Sequence, residues 1–180
     1  MLYPNRFPWA ITNGPDGNLW FTTESGSFLQ TEPGPIGKIT PNGKITEFSV
    51  GRYVGDITTG SNGGLWFTES FNDVIGEIIP TAMGIKTGEF KLSNNTPALL
   101  QPYDITNGPD GNLWFIEFQA DQIGRITPQG AVTEFPIPSA NWLSTIASGP
   151  DGNLWVLENF GNTIDRVTLN GKVTKFSITY

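Results

Sequence analysis

Three observations predict an all-β fold in which four-stranded antiparallel sheets are set radially about an axis, a β-propeller. A unit of about 45 residues recurs four times along the 180-residue chain, near the period of propeller blades. Each copy consists of short apolar runs punctuated by Gly, Pro, Asn and Asp, the pattern of brief strands and tight turns. No stretch carries the apolar period of an amphipathic helix.

The first two strands of each unit are read from one line. It runs Ile11-Thr-Asn-Gly-Pro-Asp-Gly-Asn-Leu-Trp20-Phe21 in the first copy and Ile57-Thr-Thr-Gly-Ser-Asn-Gly-Gly-Leu-Trp66-Phe67 in the second. It returns at Ile105 to Phe115 and at Ile146 to Val156, with Trp114 and Trp155 in the same place. The Asp-Gly pair supplies the positive φ that a tight hairpin needs, so a strand ends before it and a second begins at Leu-Trp. Asp16, Asp110 and Asp151 are explained by that turn. The four tryptophans are expected to pack between blades, where a large ring buries much apolar surface.

The third strand follows from Ile36-Gly-Lys-Ile-Thr-Pro41, Ile75-Gly-Glu-Ile-Ile-Pro80, Ile123-Gly-Arg-Ile-Thr-Pro128 and Ile164-Asp-Arg-Val-Thr-Leu169. The fourth follows from Ile45-Thr-Glu-Phe48, Val132-Thr-Glu-Phe135 and Val173-Thr-Lys-Phe176. In the second unit it reads Ile85-Lys-Thr-Gly-Glu-Phe90, and the extra Gly88 suggests a β-bulge. The apolar residues alternate poorly, as expected of sheets covered on both faces. The prediction is one domain over residues 1–180 with blades at about 7–50, 51–93, 100–138 and 141–180. Spacing varies only in the links over 25–35 and 93–102, which read as surface loops. Three arrangements compete: four blades closed into a ring alone, an open arc cut from a longer gene product, and part of a larger ring completed by oligomerisation. Closure or oligomerisation is expected over a stable open arc, which would expose large apolar faces that drive self-association.

Composition narrows the function. The net charge is −7 with only ten Lys and Arg residues, scattered singly, so no basic stripe exists to meet phosphates and nucleic acid is not an expected partner. The chain has no Cys, which removes thiolate nucleophiles and Cys-based zinc sites, and no His. No apolar run reaches the length of a membrane span, and no basic-then-apolar signal opens the sequence. The expectation is a soluble chain with no membrane partner, cytoplasmic or exported with its signal removed.

Candidate site residues follow from hairpin geometry. The second strand returns to the rim where the first began, which places Glu69, Glu117 and Glu158, each three residues after the blade Trp, beside Asp56 and Asp104. Glu24 sits one residue later. One reading is an acidic ring in which Glu69, Glu117 and Glu158 hold Mg²⁺ or Ca²⁺ through hard oxygen ligands. The other makes them strand-end residues bonded to neighbouring backbone. Trp9, Tyr103 and Trp142 lie at the same rim and, with Asp56 and Asp104, form a candidate ligand-binding set suited to a small molecule, peptide or carbohydrate.

The repeat, above all Ile-Thr-x-Gly-Pro-Asp-Gly-Asn-Leu-Trp-Phe with Ile123-Gly-Arg-Ile-Thr-Pro128 and Val132-Thr-Glu-Phe-Pro136, resembles the virginiamycin B lyase (streptogramin B lyase) family from about Pro8 to Phe176. The resemblance implies a seven-bladed propeller that opens a cyclic depsipeptide by metal-assisted β-elimination, using histidines near the blade ends and a glutamate that helps to hold magnesium. This chain has four units, and the position two residues before each first-strand Ile holds Trp9, Gly55, Tyr103 and Ser144, none of them histidine. The sequence therefore predicts a non-catalytic binding or scaffold module of lyase-like ancestry, with no catalytic residue assigned. Two alternatives stay open: a divalent-metal lyase relying on a carboxylate or on a second chain, and a structural repeat whose role is assembly.

Overall fold

Each repeat folds into one antiparallel sheet of four strands joined in sequence order, and the computed structural model describes residues 6–25, 34–92 and 99–178. Blade one comprises β1 (Arg6–Asn13), β2 (Leu19–Ser25), β3 (Pro35–Ile39) and β4 (Ile45–Ser49). Blade two comprises β5 (Val54–Thr59), β6 (Leu65–Glu69), β7 (Val74–Thr81) and β8 (Gly84–Lys91). Blade three comprises β9 (Pro102–Asn107), β10 (Leu113–Glu117), β11 (Gln122–Ile126) and β12 (Val132–Pro136). Blade four comprises β13 (Leu143–Ser148), β14 (Leu154–Glu158), β15 (Thr163–Val167) and β16 (Val173–Ser177). The two variable links fall mostly at 26–33 and 93–98, outside the described residues.

The turn between the first two strands holds the blade tryptophan in place. Its glycine alone takes the left-handed conformation, as at Gly17 and Gly111 (φ 74° and 76°), and the aspartate before it accepts the indole N–H. Asp16, Asp110 and Asp151 each receive that bond from Trp20, Trp114 and Trp155 at 3.0 Å. Asn62 does the same for Trp66 at 3.2 Å. The bond from Trp155 holds the Asp151 carboxyl below its ordinary pKa. Within its own blade each Trp also stacks on the fourth-strand Phe, with centroids from 5.1 Å for Trp114–Phe135 to 5.5 Å for Trp155–Phe176.

The Ile-Gly-x-Ile glycine is required by a ring. Gly37, Gly76 and Gly124 pair with Phe21, Phe67 and Phe115, and a Cβ on any of them would lie 2.1–2.2 Å from that ring. Blade four has Val156 where the others have Phe, and there the glycine is replaced by Asp165, paired with Val156 on one side and Lys175 on the other.

Gly88 makes no bulge. It pairs in register with Glu77, and the β7–β8 ladder runs unbroken from Val74↔Lys91 to Thr81↔Gly84. The additional residues are absorbed by lengthening the hairpin, which costs no ladder bond. Bulges occur elsewhere, at the start of every first strand: the register shifts between Pro8 and Ile11, Val54 and Ile57, Phe115 and Glu117 (opposite β9), and Leu143 and Thr145.

The core is three clusters, one at each blade junction. Trp20 and Ile36 meet Val54, Ile57, Leu65, Phe67 and Ile78. Trp66 and Ile75 meet Ile105, Leu113, Phe115 and Ile126. Trp114, Ile116 and Ile123 meet Leu143, Ile146, Leu154, Val156 and Val167.

Candidate binding cleft

The bulge that opens each first strand decides what faces inward. An extra residue there turns two successive side chains toward the same side, and those are the residues two and one before the first-strand Ile. Trp9 and Ala10, Gly55 and Asp56, Tyr103 and Asp104, Ser144 and Thr145 all line one cleft of about 760 Å³. Trp142 lines it as well, so Trp9, Asp56, Tyr103, Asp104 and Trp142 share one concavity although they come from four blades. Trp9 and Trp142 are about half exposed.

Trp142 and two further wall residues come from one backbone device. Tyr53, Gln101 and Trp142 occupy the position just before the first strand in blades two, three and four, and all have left-handed φ (53°, 52° and 67°). Such a conformation is uncommon for large side chains and costs free energy. It is held because each carbonyl accepts an N–H from the residue that follows the second strand: Ser70 to Tyr53 (3.2 Å), Phe118 to Gln101 (3.1 Å) and Asn159 to Trp142 (3.0 Å). The second-strand ends add Phe71, Phe118, Leu157 and Asn159 to the lining. Rings then meet: Tyr53 tilted at 60° to Phe71 at 4.8 Å, and Trp142 edge to face with Phe118 at 4.8 Å. Tyr53, Phe71 and Phe118 were not singled out by sequence, yet the column four residues before each first-strand Ile (Phe7, Tyr53, Gln101, Trp142) carries a signal, being mostly aromatic.

Asp56 and Asp104 form the acidic floor. Each reaches to the next blade: Asp56 Oδ2 accepts from Ile105 N at 3.0 Å, and Asp104 Oδ2 accepts from Ile146 N at 2.6 Å. Burial pushes the Asp104 carboxyl up to about 7, and its hydrogen bond with Asp56 and the Asp56 charge add to the shift. Asp104 therefore keeps its proton to near neutral pH, as burial beside a second carboxyl dictates. In blade one the equivalent position is Ala10, which offers no carboxylate to Ile57.

The three glutamates are placed apart from this floor and from one another. Strand alternation puts Glu69 on the face of Phe67, where Oε2 accepts from Arg52 N and Asn72 Nδ2, both at 2.9 Å. Glu117 bonds Gln122, and Glu158 accepts from Asn141 N at 3.0 Å and pairs with Lys175. All three are buried and engaged within their own blades. In blade one Thr23 takes the corresponding place opposite Pro8, and Glu24 pairs with Phe7 one step further out. Among the described residues no group of three or more His, Cys, Asp or Glu is arranged to hold a metal ion. The donor set fits two hydrogen-bonding carboxyls better than a magnesium site.

The chain resembles solved lyases over its whole length. A structure described as streptogramin B lyase is 35% identical with a TM-score of 0.82, covering 100% of this chain and 57% of that one. Virginiamycin B lyase from Staphylococcus aureus is 38% identical with a TM-score of 0.84, over 100% of this chain and 58% of that one. A catalytically inactive histidine-to-alanine variant of that enzyme with quinupristin is 35% identical at a TM-score of 0.83, over 99% of this chain and 58% of that one. The chain thus spans less than two thirds of these structures. A luciferin-regenerating enzyme at 21% identity shares the fold. No curated protein matches. The model of the virginiamycin B lyase family matches residues 3–180, and the chain belongs to that family.

Proposed function

We propose that this chain is a binding propeller that takes a bulky, largely apolar ligand of the cyclic-peptide class in its aromatic-walled cleft and does not open it. The observation that carries the reading is the cleft itself, walled by Trp9, Tyr103 and Trp142 over an Asp56–Asp104 floor, in a chain without histidine. Concave sites that bind such ligands are lined mainly by apolar and aromatic side chains with a few polar groups that fix orientation. The structurally similar lyase is bound to quinupristin in a variant made inactive by loss of one histidine, which supports binding separated from turnover.

One observation favours a second reading. Asp104, with its carboxyl near 7, has the proton affinity of a general base working at neutral pH. In a lyase running on Asp104 its carboxylate would take a proton from the carbon adjacent to the ester-bearing one. The C–H electrons would form a C=C bond as the C–O bond breaks, the ester would leave as a carboxylate, and Asp104 would return its proton to solvent.

Quinupristin is the probe that separates them. Titration followed by tryptophan fluorescence, with Trp9 and Trp142 at the cleft surface, is expected to saturate, and mass spectrometry after incubation with Mg²⁺ is expected to return the ligand intact. A Trp142→Ala variant is expected to weaken binding at least tenfold. A linearised product that disappears in Asp104→Asn would overturn the first reading in favour of the second; absence of any binding would overturn both.

A further inference from the structure

The three blade junctions are one interface built three times. The leading blade supplies a buried second-strand Trp (Trp20, Trp66, Trp114), and the following blade supplies a first-strand Ile (Ile57, Ile105, Ile146) and a second-strand Leu (Leu65, Leu113, Leu154). At the outer edge of the second and third junctions a fourth-strand Phe seats over a turn glycine of the next blade, whereas Gly84 at the first has nothing within 4 Å of its Cβ position. The Phe90 ring lies 2.4 Å from where a Cβ on Gly130 would be, and Phe135 lies 2.5 Å from that of Gly171. Arg125 adds a bond from Nη1 to Leu169 O at 3.5 Å.

Both halves of this interface are repeated on the outer faces of blades one and four. Blade one presents Ile11, 63% exposed where its three counterparts are 4%, and Leu19, 41% exposed where its counterparts are fully buried. Its turn glycine, Gly43, shares the left-handed φ of Gly130 and Gly171 (84° against 90° and 84°) but has nothing within 4 Å of its Cβ position. Blade four presents Trp155 with Phe176 stacked on it at 5.5 Å, Arg166 over the Phe176 ring, and an exposed Leu157. The open seat and the unseated ring are the two halves of one contact.

We propose that blade four of one copy docks on blade one of a second copy, head to tail, so that two equivalent junctions close a ring of two chains. The occupant is specified by the chain itself, since the Trp, Ile and Leu surface that fits each outer face is used three times inside the molecule and the Phe-on-glycine seat twice. In the new junction Phe176 covers Gly43, Trp155 and Leu157 pack on Ile11 and Leu19, and Arg166 reaches Pro41 O as Arg125 reaches Leu169 O. A head-to-tail contact closes when its rotation completes a turn, and two copies of four blades do so within the blade numbers propellers adopt.

Sedimentation velocity on the whole chain tests this. Wild-type protein is expected at twice the 19.6 kDa chain mass. Ile11→Lys and Leu157→Glu place opposite charges on the two faces, at exposed positions, and each alone is expected to give a monomer with unchanged far-ultraviolet circular dichroism. Mixing the two monomers is expected to restore the double mass, because one junction is then native and the other pairs Lys with Glu. A wild-type chain that stays at 19.6 kDa, a ladder of larger species, or variants that remain dimeric would overturn the proposal.

Discussion

The glycines beneath the second-strand phenylalanines show how tightly single residues are coupled here. A methyl on Gly124 would meet the Phe115 ring at 2.2 Å, and overpacking of this kind costs about 1–3 kcal/mol. Gly124→Ala is expected to lower urea stability by that amount, and adding Phe115→Val, the arrangement of blade four, is expected to recover most of it in a double-mutant cycle. Glu117 gives a second prediction. Burial pushes its carboxyl up from an ordinary 4.5 to about 7, and the charges of Glu134 and Asp73 add to this. The folded chain then binds that proton more tightly than the unfolded one, so the contribution is full below pH 4.5 and is lost as pH rises through 7. Glu117→Gln is expected to flatten this fall, on the order of 2 kcal/mol, when unfolding midpoints are compared at pH 5 and 8.

Among elements, blade four departs most from the repeat, and its departures compensate one another. Val156, Asp165 and Lys175 lie side by side on β14, β15 and β16 where blades one to three have Phe, Gly and Glu. The smaller Val leaves room for the Asp, and Lys175 pairs with both Glu158 and Asp165, the latter at 3.0 Å. Burial, then Glu158, pushes Asp165 up to about 6, while Lys175 holds Glu158 below its ordinary value against its burial. Lys175→Ala strands two buried carboxyls and is expected to cost about 3 kcal/mol. The triple change Val156→Phe, Asp165→Gly, Lys175→Glu, which restores the repeat pattern, is expected to cost much less by the same denaturant measurement. The strands were legible because turn chemistry and the Leu-Trp-Phe line recur. The bulges were not, since the residues that form them (Trp9-Ala10, Gly55-Asp56, Tyr103-Asp104, Ser144-Thr145) share no chemistry, and a bulge is a property of backbone pairing. Hence Trp9, Asp56, Tyr103, Asp104 and Trp142 were found by their place at the rim, while the direction of Glu69, Glu117 and Glu158 depended on strand alternation that the repeat line alone does not display.

For the whole molecule, closure by a second copy links stability to concentration. Anything that binds the folded chain raises its apparent stability by mass action, so the thermal midpoint of the wild type is expected to rise with protein concentration and that of Ile11→Lys to stay constant. Within one chain the junctions are not equally fastened. Asp56 and Asp104 each clasp an amide of the blade that follows, at Ile105 and Ile146, whereas Ala10 gives Ile57 no such clasp. Hydrogen–deuterium exchange is expected to mark that difference, with the Ile57 amide losing its protium well before those of Ile105 and Ile146. The missing carboxylate is thus expected to make the boundary between blades one and two the first junction to open, an order of unfastening written into a single column of the repeat.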